Sequence, residues 1–107
     1  GERVLKMAGG ANYSGKEGDA ARLRGNGILV LSPTRILFTM WAPKVTLELP
    51  LSHVVGARVE GVFLGRAAKP LVVTYRNKAG AEESCSWVVP DADGWAKAVE
   101  ENRGKQA

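Results

Sequence analysis

One cysteine, Cys85, and one histidine, His53, are all that this chain has of the two side chains that most often hold zinc or cross-link strands. An internal disulfide is thereby excluded, and a zinc-type cluster lacks ligands. No apolar run approaches the roughly 20 residues that a membrane-spanning helix needs. The start, Gly-Glu-Arg-Val-Leu-Lys, has no long apolar segment of the signal-peptide kind, so a soluble piece is expected. At 107 residues the chain is too short to divide its core, which predicts a single domain over 1–107 held by packing alone.

What is present is an ordinary apolar share, 45%, and a modest excess of cations that gives a net charge of +4. Such a balance favours anionic partners: phospholipid headgroups, nucleic acid or acidic protein segments. A solvated basic surface has the same composition, so charge by itself selects none of them.

The apolar pattern is mostly of period two. The short apolar segment at 4–7 reads as a first strand, and residues 9–18, which open with Gly9-Gly10 and are rich in Gly, Ser, Asn and charge, as the loop that follows it. Arg22-Leu23-Arg24 leads through Gly25-Asn26-Gly27 into Ile28-Leu29-Val30-Leu31, a long second strand with a bulge or bend at its glycines. Ser32-Pro33-Thr34-Arg35 has proline at the second turn position, so 28–31 and 36–41 should form a hairpin. Val45, Leu47, Leu49 and Leu51 then alternate with Thr46, Glu48, Pro50 and Ser52, a half-buried strand whose proline belongs at its end or on a sheet edge. A fifth strand over 54–59 sets Val55, Ala57 and Val59 against Arg58 and Glu60, and 61–69 reads as a connector. Leu71, Val73 and Tyr75 form one face of a sixth strand, residues 77–80 a turn, and Cys85, Trp87 and Val89 one face of a seventh.

After Pro90 the period changes. Asp91 is placed to cap a helix over about 91–103, Asp93 sits in its first turn, and Trp95, Ala98, Val99 and Asn102 recur at helical spacing toward Gly104. The strands thus fill about 3–89 and one helix comes last.

This order, with the local sequences Gly-Asn-Gly-Ile-Leu-Val-Leu-Ser-Pro-Thr-Arg-Ile-Leu-Phe and Leu-Glu-Leu-Pro-Leu-Ser-His-Val, resembles the pleckstrin-homology-like superfold and, more narrowly, its GRAM-like and bacterial branches. The resemblance implies a mainly β fold, a seven-stranded antiparallel barrel or sandwich of two roughly orthogonal sheets capped by one C-terminal helix. Trp95, Ala98 and Val99 would plug its open end. It also implies a binding module without catalysis or cofactor, in a targeting or regulatory role.

The residues themselves give little to chemistry. His53 lies between Leu-Pro-Leu-Ser and Val-Val without an evident partner, Cys85 alternates with Trp87 on an apolar face, and Glu82 and Glu83, being adjacent on a strand, point to opposite faces. No Gly-Lys-Ser/Thr follows the glycines near 25, so no phosphate loop is present. No catalytic set and no metal site are expected.

In the resembled fold the first, third and sixth turns emerge together, opposite the helix. Here these are 9–18, 41–44 and 77–80, and they carry Lys16, Lys44 and Lys78. Arg22 and Arg24 share one strand face, and Lys16 with Arg22 and Arg24 is similar to the Lys then Arg-x-Arg arrangement with which many pleckstrin-homology domains hold phosphoinositide headgroups. Trp41, beside Pro43, suits an interfacial anchor, while Glu17 and Asp19 offset the field of the first turn. An anionic lipid surface is the leading expected partner. A protein partner or homo-oligomer, docked on a sheet edge or beside the helix, is the alternative. The seven aromatics fall mostly on expected core faces, which argues against a stacking platform for nucleic acid. The expected setting is cytoplasmic, either at the membrane periphery or as the cytoplasmic part of a larger membrane protein.

Overall fold

Strands form here because apolar side chains recur at every second position and the turn residues between them reverse the chain. The computed structural model describes residues 3–16, 25–41, 44–60 and 70–105, with the backbone alone for 14–16. Among the described residues there are seven strands and one α-helix: β1 (Lys6–Lys16), β2 (Gly25–Leu31), β3 (Arg35–Trp41), β4 (Lys44–Pro50), β5 (Val54–Val59), β6 (Leu71–Arg76), β7 (Glu82–Val88) and α1 (Ala92–Arg103). A short 3-10 turn, Leu51–His53, joins β4 to β5. All strand pairs are antiparallel, in the order β4-β3-β2-β1-β7-β6-β5. A mainly β fold with a C-terminal helix is therefore what the chain adopts.

The first strand is much longer than the local composition indicates. Residues 9–16 were expected to loop out, yet β1 continues to Lys16, pairing with β2 from Lys6 to Tyr13 and with β7 from Asn12 to Lys16. Gly10, at φ 72°, lies in a bulge between Gly9 and Ala11 that restarts the alternation, so that Ala8, Ala11 and Tyr13 all face inward. The bulge expected at 25–27 is thus in β1 instead, and β2 pairs with β3 without a shift from Gly27 to Leu31. Gly27 has a different purpose. A Cβ there would overlap the Thr39 carbonyl oxygen and the Phe38 ring. Arg22, Arg24 and the connector 61–69 lie outside the described residues.

The inner faces make one core. Leu29, Leu31, Ile36, Phe38, Met40, Leu49, Leu71, Val73, Cys85 and Trp87 are all buried. Tyr13 joins its two halves: its ring centroid is 5.2 Å from Phe38 of β3 and 5.6 Å from Trp87 of β7, and those two rings are 5.8 Å apart. The Trp87 indole Nε1 is buried without a hydrogen-bond partner among the described residues. In β5 a register shift between Val54 and Gly56 turns Val54 into the core, with Ala57 and Val59 packing against it, so the expected inward Val55 is displaced from that face.

The helix lies over β5, β6 and the 3-10 turn and buries Ala92, Trp95 and Val99, with Ala98 half-buried beside them. Asp91 stands at the N-cap of α1, as expected, but in a left-handed conformation, φ 57°, and without a capping hydrogen bond from its side chain. Its carboxylate is bonded instead to Lys6 Nζ at 3.0 Å, and that hydrogen bond, with the attraction between the two charges, holds its carboxyl below the usual carboxylate range. Lys6 Nζ also lies 5.8 Å from the Trp95 ring centroid, so the start of β1 clamps the start of the helix. No described helix is long and apolar enough to cross a membrane.

Two glycines separate the sterics of this fold. Gly27→Ala forces its methyl into the Thr39 carbonyl and is expected to cost on the order of 2–3 kcal/mol in urea unfolding. Gly9→Ala enters open space and should stay within about 1 kcal/mol of the parent.

Candidate functional site

The two end strands, β4 and β5, are not hydrogen-bonded to each other, and the sheet curls so that its ends approach without closing. A cleft of about 340 Å³ opens there, with Leu47, Leu49 and Pro50 of β4 on one wall and the end of β6 with its following turn on the other.

The floor of this cleft is polar and tied down. Tyr75 and Glu83 are directly opposite each other in the β6–β7 ladder, and both point inward. Tyr75 Oη donates to Glu83 Oε2 at 2.8 Å, and Asn77 Nδ2 donates to Glu83 Oε1 at 2.8 Å. Asn77 in turn accepts through Oδ1 from the main-chain N–H groups of Ala79, at 2.9 Å, and Ala81, at 3.1 Å. One asparagine thereby shapes the turn and orients the carboxylate. Burial, followed by the hydrogen bond to Glu83, raises the Tyr75 hydroxyl far above its ordinary pKa, so it stays a neutral donor. His53, Arg76 and Lys78 stand around this floor, with Glu48 on the facing strand. Glu48 is itself paired with Arg35, at 3.0 Å. The cleft is thus of mixed charge with apolar walls.

The expected anion-binding residues divide. Lys78 lies at the cleft. Lys44 is at the other end of β4, three residues before Leu47 and so about 10 Å along the strand, where it pairs directly with Trp41 across the β3–β4 ladder. β1, β3 and β6 do run in the same direction, as the strand order requires, so their outgoing turns leave by one edge of the sheet. The curl nevertheless carries the β6–β7 turn to the far end of β4. Lys16 is paired through its backbone with Cys85, and its side chain, like all of Arg22 and Arg24, lies outside the described residues.

Trp41 is 65% exposed and Lys44 is exposed beside it on the outer face of the sheet. Met7, at 65%, and Val4, at 58%, are further apolar side chains in solvent. Cys85 is buried and His53 is exposed at the end of the 3-10 turn.

Tyr75, Asn77 and Glu83 are the site residues that the reading of the sequence passed over. The turn expected at 77–80 would set Tyr75 opposite Glu82; the turn closes one residue later, with Asn77 N–H donating to the Ala81 carbonyl, and this sets Tyr75 opposite Glu83. No protein-family model matches the chain, and comparison with curated proteins finds no match.

Because the unfolded Tyr75 ionises near pH 10 while the folded one remains neutral, its contribution to stability is complete below that pH and is lost as the pH rises through it. Tyr75→Phe removes one donor from Glu83 and should lower stability at pH 7 by about 1–2 kcal/mol. The gap between the two proteins should narrow above pH 10, read from urea midpoints across the pH range.

Proposed function

We propose that the chain is a non-enzymatic binding module of the pleckstrin-homology-like, GRAM-like kind, with a targeting or regulatory role, and that its leading ligand is an anionic membrane surface or phospholipid headgroup. The observation that carries this reading is the pair Trp41 and Lys44. A tryptophan 65% exposed at a strand end, directly opposite an exposed lysine, presents an amphipathic ring and a cation side by side on one face. At a membrane the indole enters the interfacial layer and the ammonium meets headgroup phosphates.

Other features agree. A seven-stranded antiparallel meander with Trp95 buried at its end by a C-terminal helix is the architecture that the family resemblance implies. The net charge is +4, and each Lys or Arg near an anionic surface contributes about 1 kcal/mol. Lys16, Arg22 and Arg24 would add to this field, against Glu17 and Asp19 in the same stretch. Lys78, with Arg76, supplies a second group of cations at the cleft. A second reading, a protein-interaction or assembly module, is favoured by the edge of β4, which has no strand partner among the described residues.

Sedimentation with phosphatidylserine-containing vesicles and with neutral vesicles separates the two readings. Pelleting is expected with the anionic vesicles, weakened by salt and by Trp41→Ala or Lys44→Gln. Quenching by brominated lipid should reach Trp41 while Trp87 and Trp95 stay shielded. Equal and negligible pelleting with both vesicles removes the lipid reading.

A further inference from the structure

The two ends of the sheet are treated differently. On the β5 end, α1 lies alongside, and Glu100 Oε2 accepts from the main-chain N–H of Ala57 at 2.8 Å, so a helix side chain occupies an edge donor. On the β4 end no described residue pairs with the strand.

The main-chain groups that β4 leaves open can be identified from its neighbours. Ser32 N–H donates to the Arg35 carbonyl, and Leu51 N–H donates to the Thr34 carbonyl, each at 2.9 Å. By the alternation of antiparallel ladders, Arg35, Leu37 and Thr39 then bond toward β2, and Ile36, Phe38 and Met40 toward β4. Across the β3–β4 register this directs Val45, Leu47 and Leu49 toward β3 and leaves the N–H and C=O groups of Lys44, Thr46 and Glu48 facing outward. Pro50 falls on the outward side, where its missing N–H costs β3 nothing.

We infer that this edge pairs with the same edge of a second copy of the chain, antiparallel and centred on Thr46. In that register Thr46 faces its counterpart, Lys44 of each copy faces Glu48 of the other, and all the outward donors from 44 to 48 find acceptors. Opposite charges then meet on the outer face at both ends of the paired segment. On the other face, Val45 of each copy meets Leu47 of the other, and both are half-buried and already packed against the core. Lys44 has no ion-pair partner among the described residues, so the contact provides one, and the Glu48 carboxylate, bonded to Arg35 through Oε2, is shared between the two cations. A register shifted toward the C-terminal end places Pro50 inside the ladder and loses donors. It also brings the incoming strand against the cleft wall at Leu49 and Pro50. The segment 44–48 avoids both.

A charge exchange tests this without lipid, by sedimentation equilibrium of the full chain over a range of concentrations. The parent is expected to approach twice its 11.4 kDa mass as concentration rises. Lys44→Glu alone sets carboxylates against carboxylates, and Glu48→Lys alone sets ammonium groups against each other. Each should weaken self-association at least about tenfold, with circular dichroism melts showing both folded. An equimolar mixture of the two variants restores complementarity and should form a heterodimer. A parent that stays monomeric throughout, single variants that dimerise as the parent does, or a mixture that remains monomeric would each overturn the inference. The inference rests on the assembly reading and is measured without vesicles, so its failure leaves the membrane reading to vesicle sedimentation; in the dimer Lys44 is engaged by Glu48 and Trp41 is the remaining membrane contact of the pair.

Discussion

Tyr13 occupies the one strand that both halves of the sheet share, and the fold depends on its being there. β1 gives its first part to β2 and its last part to β7, so three strands on one side and three on the other become a single surface. The ring of Tyr13 then lies between Phe38 and Trp87, the large aromatics of the two halves. Without the bulge that takes up the extra residue at Gly10, regular alternation from Ala8 would turn Ala11 and Tyr13 to solvent. The Trp87 indole Nε1 has no hydrogen-bond partner among the described residues, and the burial of the three rings offsets the cost of about 1–3 kcal/mol that such a group carries.

A curled but unclosed sheet has two edges, and their treatment divides the molecule into a sealed side and an open one. Glu100 and the helix occupy the β5 side, and Lys6 fastens the helix start to β1 through Asp91. The open side carries the β4 edge, which has no strand partner among the described residues, the cleft, and Trp41 with Lys44 at the opposite end of the same strand. The recognition proposed above, of a membrane surface or of a second copy, uses residues along β4.

The parts legible in the sequence were those where alternation is regular and turns are marked by proline, asparagine or glycine. β3, β4, β6 and β7 lie where the periodicity of Ile36 to Met40, Val45 to Leu49, Leu71 to Tyr75 and Cys85 to Trp87 puts them, and the helix buries Trp95 and Val99. β1 was hidden because its inward residues, Ala8, Ala11 and Tyr13, are out of phase with one another until the bulge is counted, and Gly, Asn and Ser between them look like loop. The inward turn of Val54 depends on a shift that only the partner strand reveals. In the same way, the convergence of Lys78 with Leu47 and Leu49 follows from the curl of the sheet, a property of all seven strands together. Local pattern carries the strands; the meeting of their ends is a tertiary fact.

Native-state hydrogen exchange along 11–16 tests the shared role of β1 most directly. If this segment is bonded between β2 and β7, its ladder amides should exchange as slowly as those of β7, from Glu82 to Val88. Exchange at the rate of an unstructured glycine-rich loop would contradict the account, because the two halves of the sheet would then have no common strand.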